Sequence, residues 1–141
     1  LSGLIWTNLD LPLCWCDTTT TMKRLHFNFP KIFTGIELKG ASMAPTLNSG
    51  DWLLFKRIDL RATSSENLEK LIGEVVLLRR RSEVGSDILQ VKRVIQLTTG
   101  NSRIWVEGDN KGESTDSRSW GALERGEVIG RLLFRYKRGR N

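Results

Sequence analysis

The chain has 141 residues, 39% of them hydrophobic and 27% charged. That balance fits one soluble globular domain with a real core and excludes a catalytic and a regulatory domain side by side. The formal charge of +6 permits an anionic partner such as nucleic acid or lipid headgroups, and no stretch reaches the roughly 18 consecutive apolar residues of a membrane-spanning helix.

Residues 1–35 read as an N-terminal segment. Its start, "LSGLIWTNLDLPLCWC", is interrupted by Asn8, Asp10 and Pro12. Cys14 and Cys16 flank one tryptophan, too few ligands for a structural zinc and too close for an easy disulfide. The first residue is Leu, and Met22 opens a more ordinary beginning, "MKRLHFNFP". Residues 1–21 are therefore read either as an upstream extension, partly disordered, or as a processed or unusually initiated start. Phe27, Phe29, Ile32 and Phe33 are expected to pack on the core, with peripheral contact to a membrane surface as the alternative.

From residue 36 to 136, short apolar runs alternate with turn residues, the pattern of strands. Strands are expected at "DWLLFKRI" (51–58), "GEVVLLRR" (73–80), "ILQVKRVIQL" (88–97), "RIWVEG" (103–108) and "EVIGRLLFRY" (127–136). "SEVGSD" and "TTGN" supply hairpin turns, and only "SSENLEKLI" near 64–72 reads as helix. The expected fold is mostly β: a compact antiparallel β domain with little helix. Arg79–Arg81 are expected as solvated strand ends, and residues 137–141 as a frayed basic tail.

Two loops are longer than simple connections require, one holding Ser42 in "KGASMAPTLNS", the other "EGDNKGESTDSRSWG" at 107–121. Ser42 fits an ordinary surface turn unless a base is at hand, because a serine hydroxyl is a poor nucleophile until its proton is removed. His26 is the single histidine and lies in the N-terminal segment. Lysine is the other base a serine can use. On 88–97, Lys92 and Arg93 face opposite sides, and arginine cannot act as base. Val91, Val94 and Ile95 flank Lys92 with apolar surface that would depress its pKa. With a pKa near 10.4 only about one lysine in two thousand is neutral at pH 7, so the site must lower it by roughly 3 pH units, about 4 kcal/mol. The plain alternative is an exposed strand lysine.

"GASMAPTLNSGD", "VKRVI" and "GDNKGESTDSRSWG", in that order, resemble the three sequence boxes of the type I signal peptidase family, serine endopeptidases with a Ser–Lys dyad, over about residues 36–134. The resemblance implies the β catalytic core of that family, with Ser42 as nucleophile and Lys92 as general base. It makes Ser114 the hydroxyl that orients the lysine, Asp116 and Arg118 a supporting ion pair, and Asn110 a shaping residue of the loop. It implies no cofactor and no metal. Some members carry a serine two positions before the nucleophile; Gly40 stands there in this sequence, so the oxyanion hole is expected to use backbone donors, chiefly the Ser42 N–H.

The length and the form "GESTDSRSWG" look most like the subgroup that matures nickel-type superoxide dismutase by removing a leader from its precursor. The expected function is thus leader removal from a precursor protein, in the cytoplasm. One alternative is a general type I signal peptidase acting on secretory preproteins, held peripherally at the inner membrane. An alternative of another class is a basic nucleic-acid-binding β module using Arg79–Arg81 and the tail; it leaves the three boxes unexplained, and no nucleic acid is expected as partner.

Overall fold

In the computed structural model of the chain, the described residues are 23–24, 32–98, 100 and 102–140. The expectations for Cys14, Cys16, Met22, His26, Phe27 and Phe29 lie outside them. Eight strands form one antiparallel sheet: β1 (Lys23–Arg24), β2 (Phe33–Glu37), β3 (Trp52–Arg57), β4 (Val75–Arg81), β5 (Asp87–Leu97), β6 (Arg103–Glu107), β7 (Leu123–Glu124) and β8 (Val128–Lys137), in the order β1-β2-β3-β8-β4-β5-β6-β7. The mostly β, antiparallel expectation holds, and the five expected strands lie within two residues of their drawn ends.

Alternation along the central strands explains why both faces of the sheet are covered. On β4 and β5, Val75, Leu77 and Val91 point to a core shared with Ile36, Leu38, Met43, Leu53 and Phe55. Val76, Leu78 and Val94, one residue out of phase, point to a second core with Leu68, Ile104, Val106 and Leu123. A strand buried on both faces reads as a continuous apolar run, and "VVLL" is such a run.

Helix is scarce. α1 (Ser65–Glu69) is shorter than the stretch expected at 64–72. Leu68 and Leu71 pin it to the core, and Gly73, at φ 85°, then turns the chain into β4. A second short helix, α2 (Ser117–Trp120), lies inside what reads as a polar loop. Two turn expectations meet matching contacts: Ser82 N–H bonds the Ser86 carbonyl at 2.7 Å, and Thr98 N–H bonds the Arg103 carbonyl at 3.0 Å.

The basic runs differ from expectation. Arg79 and Arg81 are exposed, but Arg80 turns inward, its guanidinium carbon 3.7 Å from the centre of the Trp120 ring. The end of the chain is not frayed up to Gly139: β8 runs to Lys137, and the Gly139 N–H bonds Asp51 Oδ1 at 2.9 Å.

Candidate active site

Ser42 sits in the 38–51 loop between β2 and β3. Its neighbour Met43 is fully buried in the core that faces β2 and β3, and burial of such a side chain stabilises by about 1.5–3 kcal/mol. That anchor fixes the backbone of Ser42, which is itself only 4% exposed. The loop is closed by backbone bonds, Gly50 N–H to the Leu38 carbonyl and Leu38 N–H to the Asp51 carbonyl, each 2.7 Å.

Lys92 comes from the middle of β5, opposite Val76 on β4, and is 2% exposed. The exposed-lysine alternative is thereby excluded. Val91 and Val94 are fully buried beside it, whereas Ile95 is 42% exposed and adds little to its desolvation. The Lys92 amine donates to Ser114 Oγ at 2.8 Å, and the Ser114 hydroxyl donates onward to Asp116 Oδ2 at 2.7 Å. Because the proton of Ser114 is committed to Asp116, its lone pair must face the lysine. One N–H of the amine is thus fixed in direction, and a neutral amine held so keeps its own lone pair for a different partner.

Burial lowers the Lys92 pKa to about 8; Asp116 opposes the drop and Arg118 assists it. This is the direction the sequence demands, short of its full extent, because the carboxylate that organises Ser114 also favours the ammonium.

Asp116 is the hub. It is completely buried and caps α2, accepting from the Arg118 N–H at 3.2 Å and from the Gly108 N–H at 2.9 Å. Arg118 grips it with two bonds, Nε to Oδ1 at 2.9 Å and Nη2 to Oδ2 at 2.8 Å. Burial alone would raise the carboxyl's pKa, but the bonds from Arg118, Gly108 and Ser114 outweigh it and hold the group well below the usual carboxylate range. Asp116 and Arg118 meet across a helix cap, where the Asp116 side chain reaches forward over the first turn.

The two loops join at Gly108. A Cβ there would stand 2.2 Å from Ser114 Oγ and 2.5 Å from the Ser42 carbonyl oxygen, so only glycine fits between them. Asn110 completes the joint through its backbone N–H, 2.9 Å from the same Ser42 carbonyl. All six expected site residues therefore converge, four as the bonded chain Lys92–Ser114–Asp116–Arg118 and two through the Ser42–Asn110 backbone contact. The residues that sequence reasoning passed over are structural partners. Asp109 takes two bonds from Arg93, Nε at 2.8 Å and Nη2 at 2.7 Å, which clamps the polar loop to β5 next to Lys92. Asp109 stands in the "GDN" of the third box, but nothing local to that box names Arg93 as its partner.

A buried lysine with a lowered pKa, aimed by a hydroxyl that a carboxylate holds, and a serine docked against the same glycine are the parts that a Ser–Lys hydrolytic site would use. The family described as "Signal peptidase, peptidase S26" matches residues 96–137, the span from the end of β5 through β8 that includes the Ser114–Asp116–Arg118 loop. Mitochondrial inner membrane protease subunit 2 of Saccharomyces cerevisiae is 29% identical over 113 residues, covering 69% of this chain and 64% of that protein. Mitochondrial inner membrane protease subunit 1 of Homo sapiens is 28% identical over 128 residues, covering 78% and 73%. Signal peptidase I of Bacillus caldolyticus is 27% identical over 145 residues, covering 74% and 80%. The fold and these likenesses support a serine endopeptidase, similar to the signal peptidases. They support the S26 signal peptidase family as the one to which the chain is related.

Proposed function

We propose that the chain removes an N-terminal leader from a precursor protein, with Ser42 as nucleophile and Lys92 as general base. The observation that carries this reading is the buried Lys92 amine donating to Ser114 at 2.8 Å while Ser114 donates to Asp116 at 2.7 Å. The neutral amine takes the Ser42 hydroxyl proton as the oxygen attacks the scissile carbonyl. Lys92 then gives that proton to the departing amine of the substrate, and in the second half it takes a proton from the water that attacks the acyl group and returns it to the leaving Ser42 Oγ. Ser114 positions the base, Asp116 and Arg118 fix Ser114, and Asn110 holds the Ser42 backbone. The Ser42 N–H serves the oxyanion, and Gly40, at φ 85° and exposed, offers it no side chain.

For the substrate, the relatives favour a precursor of the kind a general signal peptidase cuts. The narrower reading, maturation of a nickel superoxide dismutase precursor in the cytoplasm, rests on the form of "GESTDSRSWG". Among the described residues no helix is long and apolar enough to cross a membrane.

The test is co-expression of this chain with each kind of precursor, reading the new N-terminus by mass spectrometry and the location of the protein by fractionation. Cleavage by the wild type and none by Ser42→Ala is the expected result. If Ser42→Ala still cleaves, the nucleophile assignment fails. If only a secretory preprotein is cut, the dismutase reading fails.

A further inference from the structure

The C-terminal residues wall a second feature, a cleft of about 350 Å³ beside the base of the Ser42 loop. Its charged lining is Lys39, Glu37, Lys137, Arg138 and Arg140, with Trp52 in the wall. Glu37 is engaged by the Lys39 amine. Among the described residues no carboxylate pairs with Lys137, Arg138 or Arg140, and all three are exposed.

The wall is built rather than draped. The Gly139 N–H bonds Asp51 Oδ1 at 2.9 Å. Gly139 lies so close to the loop that a Cβ on it would stand 2.5 Å from the Ser49 carbonyl oxygen. Arg138 and Arg140 flank this anchored glycine, so their backbone is held in place before any ligand arrives, which lowers the ordering cost of binding.

We propose that this cleft binds an acidic stretch of the precursor flanking the bond that is cut. The assignment rests on the function proposed above. Lys39 is three residues from Ser42, and an extended chain covers about 3.3–3.6 Å per residue, so a peptide lying across Ser42 reaches the cleft within a few residues. A concave site with a tryptophan in its wall suits a side chain and its backbone, whereas a bilayer surface is flat and cannot enter it. The cations would also steer an acidic segment towards the loop and disfavour a basic one in the same register.

The experiment uses Ser42→Ala, which binds without cleaving, and two labelled peptides of one sequence in which Asp and Glu replace Asn and Gln in one of them. Fluorescence anisotropy at low salt should give binding about tenfold tighter for the acidic peptide, a difference of the size a few exposed ion pairs supply and one that salt erases. Adding Lys137→Gln, Arg138→Gln and Arg140→Gln should abolish the preference with an unchanged melting temperature. Equal binding of the two peptides, or a preference that survives the triple change, overturns the proposal. So does cosedimentation with phosphatidylglycerol vesicles lost in the triple variant while the acidic peptide is ignored. Should the acidic peptide bind selectively while the wild-type chain cuts no precursor, the peptidase reading fails and the binding site stands.

Discussion

Lys92 carries a cost that its surroundings impose. Its folded pKa near 8 lies below the ordinary 10.5, so the folded state holds fewer protons than the unfolded chain between those values, and stability rises as pH rises through that window. Lys92→Met should therefore raise stability at pH 7 by up to about 2 kcal/mol, since a well-packed apolar side chain removes a buried cation, and the gain should vanish near pH 11 in denaturant melts. For the reaction, the neutral amine is the working form. The rate should be flat above about pH 8 and fall roughly tenfold per pH unit below it. Lys92→Arg should be inactive although it keeps the charge. Ser114→Ala should lower the single-turnover rate, because the amine loses the bond that fixes its direction, and an unchanged rate would remove Ser114 from its positioning role.

At the scale of elements, β5 and the 107–121 loop are one device. β5 supplies Lys92 on one face and Arg93 on the other, and the loop answers both, with Ser114 for the lysine and Asp109 for the arginine. α2 exists because Asp116 caps it, and the same carboxylate takes the Ser114 hydroxyl. Gly108 is the tight point between this loop and the Ser42 loop. Gly108→Ala should destabilise by about 1–3 kcal/mol, as overpacking does, and lower cleavage at least a hundredfold, because the added methyl drives Ser114 and the Ser42 backbone apart and a small displacement of reacting groups is costly. Matching denaturant melts and single-turnover rates check it; a fully active, stable variant would mean the joint is loose.

The whole molecule depends on a contact that spans most of the chain. Asp51, 2% exposed, accepts from the Asn48 N–H at 2.9 Å, from Arg135 Nη1 at 2.9 Å and from the Gly139 N–H at 2.9 Å. Burial raises its pKa, but the bonds from Asn48, Gly139 and Arg135 outweigh it and lower the net value from 3.8. The stability it contributes is thus present above about pH 4 and lost as pH falls through the folded value. Asp51→Ala should cost about 2–4 kcal/mol by stranding Arg135 and the Gly139 amide, and hydrogen exchange should show the Leu38 and Gly50 amides losing protection. Much of the fold was legible beforehand because alternation and turn residues are local signals: the five strands from 51 to 136 and the two long loops needed no tertiary information. Ser42, Lys92, Ser114, Asp116 and Arg118 were legible as candidates through the resemblance of three short boxes to a known family, a likeness that needs no tertiary contact. The sequence alone therefore determined an antiparallel β domain and the candidate residues of a Ser–Lys site. Only the tertiary structure decided that Lys92 is buried, that Gly108 admits no side chain, that Arg80 turns onto Trp120, and that Gly139 closes on Asp51. Burial and close approach are relations between segments brought together by packing, and no local pattern of side chains encodes which distant surface will cover them.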